Sequence, residues 1–504
     1  MEIRINDLNI IGTATADGVH QFLGIPYALP PTGPLRFSSS LPHPIPFEQP
    51  FYATRYSPMC PQTASGSTGQ PPFTVADGAD IMDESSCLTL NVFATPDERT
   101  DKPVLVFIHG GGFVNGSASV VCYDGGGLVT AAASRGEPCI LVTIQYRVGV
   151  LGFLSSREIG RGNFGIEDCA CALRWVQQHI HAFGGDASKV CCFGQSSGAA
   201  TVAFLMTCYP NERLFSTAIC QSGVASIGLA DAGYMQDVFD MVCDFTECPL
   251  GVSGEEKLKH LQSVPQDVLM QAVEALGQIF FSPIFDGVIV KESPQAALVR
   301  GDVPQHVKAV MVGYNEHEGA SISGAFKTRG LVKQYIGMHF KEDIIHKIEH
   351  LYKVNEEGRD PRKIVSDICG DAMFAVPTRT TCRGIAKSRR TRCFSYRFNV
   401  PCHANTLSRK LGYVPHGWEL PFLFNSSVLN DVEKRLGEDM AVAWVRFAES
   451  GDPNAGEDGK SVGVGGIVWP EYKDGCMVFE LTKHRVEGDG VWRGEYMRFY
   501  EAKM

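Results

Sequence analysis

Ser196 is the first residue in this chain whose surroundings suggest chemistry. It sits in Val190-Cys191-Cys192-Phe193-Gly194-Gln195-Ser196-Ser197-Gly198-Ala199-Ala200. The apolar run before it reads as a short buried strand, and Ala199 to Met206 reads as a buried helix. Strand, G-x-S-x-G, helix is the context of a nucleophile elbow, a sharp strained turn that lifts a serine hydroxyl clear of a sheet. The residues two before and two after the serine crowd its backbone and must lack a Cβ. The residue after it, Ser197, opens the helix, so its unpaired N–H is available to hold an oxyanion.

The same five-residue pattern recurs at Gly459-Lys460-Ser461-Val462-Gly463, in a glycine-rich stretch with no strand before it and no helix after it. That copy reads as a loop. It is no phosphate-binding loop either, because Asn454 stands where that motif needs its first glycine. The partners of Ser196 therefore have to decide its role. Pro103 to Ile108 is a continuous apolar strand running into His109-Gly110-Gly111-Gly112-Phe113. The bare backbone of the three glycines, Gly110 to Gly112, lets N–H groups approach a bound carbonyl, the other half of an oxyanion hole. Each such donor contributes a factor of about 10² to 10³ in rate.

An acid and a base complete the set, in the order serine, carboxylate, histidine. Val310-Met311-Val312-Gly313-Tyr314-Asn315-Glu316-His317-Glu318 places two carboxylates just past a buried strand, where a sheet presents catalytic side chains. Tyr413-Val414-Pro415-His416-Gly417-Trp418 offers a histidine in a loop. Spacing alone does not choose Glu318 over Glu316, or His416 over His403.

These residues need a sheet to align them. Ile140 to Tyr146 is a further strand, and Asn163 to Phe183 is a helix with Ala170, Leu173, Val176 and Ile180 on one stripe. Later strands fall at Ala309 to Val312, Cys393 to Phe398 and Cys476 to Leu481. Helical stretches fall at Asp231 to Leu276, Leu331 to Glu356 and Glu433 to Ser450. The prolines between Pro26 and Pro34 forbid helix near the start and leave antiparallel edge strands and a loop. Strands separated by helices imply an α/β fold, a mostly parallel twisted sheet with helices on both faces. With no repeat and no long linker, residues 1–504 read as one domain.

The 504 residues are 44% apolar and 20% charged, an ordinary globular balance. A net charge of −11 argues against nucleic acid or an anionic membrane as partner. No apolar run approaches the length of about 18 residues that spans a bilayer. The first 18 residues have no apolar core of signal-peptide kind, because Glu2, Arg4, Asp7 and Asp17 interrupt it. The 17 cysteines are odd in number and contain no C-x-x-C pair, so neither a full disulfide framework nor a zinc site is expected. The expectation is a cytoplasmic protein. Ala502-Lys503-Met504 loosely matches a peroxisomal address and keeps that alternative open.

The motifs, in order, resemble those of the type-B carboxylesterase family of α/β-hydrolases, the group that includes the cholinesterases. Phe22 to Phe37 is similar to the family's N-terminal signature. The segments from Leu88 to Phe93, His109 to Phe113, Tyr146 to Ser155, Gly162 to Asp186, Phe193 to Ala200, Pro283 to Val288, Val312 to Gly319, His416 to Phe424 and Ala443 to Asn454 are similar to its later motifs. The resemblance implies an α/β-hydrolase fold with elaborated loops over an active-site gorge. It implies Ser196 as nucleophile, Glu318 as acid, His416 as base, and backbone donors at Gly111, Gly112 and Ser197. Ser222, in Cys220-Gln221-Ser222-Gly223, matches a family serine that supports the triad from behind. Cys60 and Cys87 match the family's first disulfide.

The departures carry information too. The family elbow usually reads G-E-S-A-G, so Gln195 removes a buried negative charge from beside the site. Ser85-Ser86 replaces an acidic pair, with Glu84 one place early, which leaves the family's ion pair to Arg36 open. The Cys60–Cys87 loop has Phe73 as its only aromatic and lacks the tryptophan that cholinesterases set against a quaternary ammonium. The expected activity is hydrolysis of a moderately large apolar ester or lactone, such as a secondary-metabolite intermediate or a xenobiotic, through an acyl-enzyme. No metal or cofactor is called for, and the protein is expected to be a monomer or homodimer. Acyl transfer or a non-hydrolytic rearrangement at the same site is the alternative. A non-catalytic binding module is the remaining one, disfavoured because all three triad positions are kept.

Overall fold

The computed structural model describes residues 1–5, 8–44, 50–63, 73–226, 229–277, 279–456, 460–481, 483–488 and 494–501. Ala502-Lys503-Met504 and Gly459 lie outside them.

The strands are β1 (Glu2–Ile5), β2 (Leu8–Ile11), β3 (Thr13–Ala14), β4 (His20–Pro26), β5 (Phe51–Tyr52), β6 (Thr89–Ala94), β7 (Lys102–Ile108), β8 (Ile140–Ile144), β9 (Gly185–Gln195), β10 (Thr217–Gln221), β11 (Ala309–Asn315), β12 (Arg392–Phe398), β13 (Cys476–Phe479) and β14 (Arg485–Glu487). β1, β2 and β5 make a small sheet. The other eleven make one large sheet in the order β14-β13-β12-β11-β10-β9-β7-β8-β6-β4-β3. The seven strands from β13 to β8 run parallel, and antiparallel strands close both edges.

Parallel strands need both faces covered, and their sequences show it. Along β7, Val104, Val106 and Ile108 enter one core, while Leu105 and Phe107 enter the other. Along β9, Val190 and Cys192 face the first core, and Cys191 and Phe193 face the second. The helix Phe164–His179 packs on the first face and the helix Asp431–Ser450 on the second. This is the doubly covered sheet that the alternating pattern predicts.

Two of the long helical stretches are broken. Asp231 to Leu276 is three helices, Ala232–Phe245, Gly254–Ser263 and Gln266–Ala275. Gly251 at φ 76° and a capping box at Ser253 and Glu256 make the first break, and Pro265 makes the second. Leu331 to Glu356 contains two helices, Arg329–His339 and Glu342–Leu351, parted where Phe340 turns extended. An unforeseen helix pair, Pro361–Gly370 and Val376–Ser388, is joined by a π-turn at Asp371–Ala375.

The open ion pair does form. Arg36 Nε donates to Glu84 Oε2 at 3.0 Å, and Arg36 Nη2 bonds Glu84 Oε1. Glu84 thus reaches Arg36 from one place earlier in the chain. Arg36 Nη1 also donates to the carbonyls of Leu261 and Val264, which ties the N-terminal loop to the helix Gly254–Ser263. Arg147, leaving β8, donates to both oxygens of buried Asp168 at 2.7 and 2.8 Å.

Candidate active site

The sheet register gathers the candidate residues at one edge. Gly194 pairs with Ile108, Gln195 with Gln221, and Gln221 with Gly313. The segments that follow β7, β9, β10 and β11 therefore leave the sheet side by side. They carry Gly111 and Gly112, Ser196, Ser222, and Glu318.

Ser196 is at φ 59° and ψ −125°, a conformation that side chains rarely adopt, and the helix Ser197–Cys208 starts immediately after it. Strain at such a position is stored where the fold over-determines it. Here the surroundings do so. Ser196 N–H donates to Gln221 O at 2.8 Å. A Cβ on Gly194 would lie 2.5 Å from the Gly198 carbonyl carbon, and one on Gly198 would lie 2.1 Å from Ile108 O. Both flanking glycines are sterically required.

The glycine loop lies directly against this turn. A Cβ on Gly110 would be 3.0 Å from Ser196 Cβ. Gly111 and Gly112 take φ 121° and 65°, and Gly111 O accepts from Val114 and Asn115 N–H at 3.1 Å each. Among the described residues, no hydrogen bond occupies the N–H of Gly111 or Gly112. Gly112 also borders a cavity of about 680 Å³ whose apolar lining includes Val114, Val150, Met270, Val273, Ile279 and Phe281. Gly277, Ile279, Phe280 and Phe281, with the helix Gln266–Ala275, form one side of it. A larger cavity, about 920 Å³, lies among Arg383, Lys387, Arg389 and Arg390 and touches none of the candidate residues.

Geometry separates the paired alternatives. His416 Nδ1 donates to Glu318 Oε2 at 2.6 Å, and Glu318 Oε1 accepts from Asn315 N–H at 2.7 Å. Glu316 instead pairs with buried Arg397. His403 pairs with Glu433, the capping-box carboxylate of the helix Asp431–Ser450. Cys402 Sγ lies within 4.8 Å of those two groups, but Glu433 also accepts the N–H of His403 and of Asn430, which accounts for its placement as a helix cap. Ser461, in the second G-x-S-x-G, is exposed and bridges to Ala455 in a loop.

The other ring nitrogen, His416 Nε2, points to the elbow and meets Gln195 Nε2 at 3.1 Å. The ring is 23% exposed, enough for one edge to face a ligand, and Phe374 of the π-turn packs on it at 4.9 Å between centroids. Burial works against the charged imidazole, but the Glu318 carboxylate, its hydrogen bond and the Glu419 charge outweigh it and hold the group above the ordinary histidine value.

Three participants were not singled out from the sequence. Glu419 is fully buried; burial, then the nearby Glu318 charge, pushes its carboxyl up to about 7. Asn315 Nδ2 donates to Glu419 Oε2 at 2.6 Å and to Pro415 O at 2.8 Å, tying the acid strand to the histidine loop. Phe374 is the third. A lone Glu in Trp418-Glu419-Leu420-Pro421-Phe422-Leu423 with no cation nearby is the signal that marks Glu419. Ser222 is at φ 53°, fully buried, with Gly223 packed under the Ser196 carbonyl. The Cys60 and Cys87 sulfurs, the pair matched to the family's first disulfide, are buried and face each other at 2.7 Å.

A serine at a strained elbow, a carboxylate–imidazole pair that meets the elbow at Gln195 and unbonded N–H groups beside it are the parts of acyl-transfer chemistry. Against this geometry, a sequence profile of the carboxylesterase family matches residues 6–493. The chain belongs to the carboxylesterase family. It is 30% identical to para-nitrobenzyl esterase of Bacillus subtilis (strain 168) over 489 residues, covering 91% of this chain and 90% of that one. It is 31% identical to carboxylesterase 1D of Rattus norvegicus, covering 92% and 85%. It is 29% identical to acetylcholinesterase of Bungarus fasciatus, covering 90% and 77%. The α/β-hydrolase fold of this carboxylesterase is the large mixed sheet described above. No described helix is long and apolar enough to cross a membrane.

Proposed function

We propose that this carboxylic ester hydrolase works through Ser196, His416 and Glu318, with the oxyanion received by the N–H groups of Gly111, Gly112 and Ser197. The observation that carries this reading is the 2.6 Å bond from His416 Nδ1 to Glu318 Oε2 on a ring whose other nitrogen faces the elbow.

His416 Nε2 takes the Ser196 proton as Oγ attacks the ester carbonyl, forming the C–O bond of the tetrahedral intermediate. Glu318 fixes the tautomer and stabilises the imidazolium that forms. The negative oxygen lies against the glycine N–H groups and the helix N-terminus. The carbonyl re-forms as the alcohol leaves with the proton from His416. Water then attacks the acyl-enzyme by the same route and frees the acid.

The substrate we infer is a moderately large apolar ester. A volume of about 680 Å³ beside Gly112 is of the size that takes a drug-sized ligand. The Cys60–Cys87 loop carries Phe73 and no tryptophan to set against a quaternary ammonium, which favours an apolar ester over a choline ester. The odd number of cysteines, 17, without a C-x-x-C pair, supports work in a reducing, cytoplasmic setting. A series of p-nitrophenyl esters from acetyl to dodecanoyl tests the substrate reading. kcat/KM should rise with chain length to a medium acyl group. Highest turnover on acetyl, or release of product only when an alcohol acceptor is added, contradicts it.

A further inference from the structure

Gln195 stands where carboxylesterases usually carry glutamate, and its side chain is buried at 5% exposure between two glycines. A Cβ at Gly110 would lie 2.7 Å from Gln195 Oε1, and one at Gly417 would lie 3.5 Å from Gln195 Nε2. The amide is thus held in a slot with its nitrogen 3.1 Å from His416 Nε2. An amide nitrogen carries donors alone, so Gln195 donates and His416 Nε2 accepts. The ring proton then sits on Nδ1, where Glu318 Oε2 takes it at 2.6 Å.

That arrangement has a chemical consequence. His416 Nε2 has one lone pair in the ring plane. Ser196 needs it to become a nucleophile, and the Gln195 amide occupies it at rest. A hydrogen bond to the neutral form of a base also favours that form. We propose that Gln195 is a positioning residue for the triad base: its amide holds His416 as a neutral acceptor in the resting enzyme and is displaced by the Ser196 hydroxyl when the reaction begins. This rests on the triad reading above.

Two charged groups face the ring, Glu318 from the turn after β11 and Glu419 on the ring's own loop, and both favour the imidazolium. Phe374 covers the ring without charge. Gln195 therefore opposes both carboxylates. A glutamate in the same slot would be a third carboxylate on the same ring, and it would accept from the charged Nε2–H.

The experiment compares wild type, Gln195→Glu and the near-isosteric Gln195→Met, each checked for folding by thermal melting. The pH profile of kcat/KM is measured with p-nitrophenyl butyrate, and the rate of inactivation with a fluorophosphonate. In Gln195→Glu the acid limb should move up by at least about one pH unit, a roughly tenfold extra loss on the acid side. In Gln195→Met, which leaves Nε2 free, inactivation at plateau pH should quicken about two- to tenfold, the worth of one released hydrogen bond. A Gln195→Glu limb that superimposes on wild type overturns the proposal. If that variant does not fold, inactivation of Gln195→Met no faster than wild type overturns it. A purely structural role for Gln195 would change melting and leave the limb in place. Wild type that is inert toward both reagents overturns the triad reading and this inference together, whereas active wild type with an unmoved limb overturns this inference alone.

Discussion

At the scale of single residues, the central relation is between His416 and the three groups on its edges, Glu318, Gln195 and the Ser196 elbow. As the proposed base, His416 would work in its neutral form, and its neighbouring carboxylates hold its proton more tightly than an ordinary histidine does. Activity is therefore present above the His416 pKa and lost as pH falls through it. The acid limb of kcat/KM should lie above about 6.5, the ordinary histidine value; a limb well below it would contradict the environment described. His416→Ala should cost several orders of magnitude in kcat, and His403→Ala, which loosens a helix cap, should leave kcat near wild type. Steady-state kinetics on the two variants separates them. Sequence spacing left these histidines equivalent, as it left Glu316 and Glu318. Nothing local distinguishes them, because the distinction is made by Arg397 and Glu433, which arrive from elements 81 and 30 residues away.

At the scale of elements, the site depends on how loops are bound to strand ends. Asn315 joins the end of β11 to the loop of His416 through Pro415 O and Glu419, and Gln221 at the end of β10 receives Trp444 Nε1–H at 3.3 Å. Glu419 is the sensitive member of this set. Its carboxyl titrates near 7 when folded and about 4.5 when free. Between those values the folded protein keeps a proton that the unfolded chain has lost, so stability falls as pH rises from about 4.5 to about 7 and is level above. Glu419→Gln removes that titration. Its melting temperature should fall less than that of wild type across this window, as scanning calorimetry at several pH values would read; equal slopes would refute the assignment. The elements were largely legible. β7, β9, the elbow helix and the helix Phe164–His179 follow from apolar period and glycine placement. The breaks at Gly251, Pro265 and Phe340 were not anticipated in the broad helical stretches, and the π-turn at Phe374 has no local sequence mark.

At the scale of the whole molecule, one eleven-stranded sheet puts segments more than 200 residues apart onto a common edge. The carboxylesterase resemblance covered nearly the whole chain, so the sheet and its order of motifs were readable before any geometry. The reach of Glu84 to Arg36 was not, because a one-residue displacement is absorbed by a turn that only three dimensions reveal. The cavity beside Gly112 is assembled from the glycine loop, the segment after β8 and the helix Gln266–Ala275, which share no common sequence signal.

The most direct measurement is covalent. Intact protein is treated with a fluorophosphonate, digested and mapped by mass spectrometry, beside Ser196→Ala and Ser461→Ala proteins of equal melting temperature. The account predicts a single adduct on Ser196, loss of p-nitrophenyl ester turnover in step with labelling, no adduct and no turnover in Ser196→Ala, and wild-type behaviour in Ser461→Ala. An adduct on another serine with turnover intact in Ser196→Ala would contradict it.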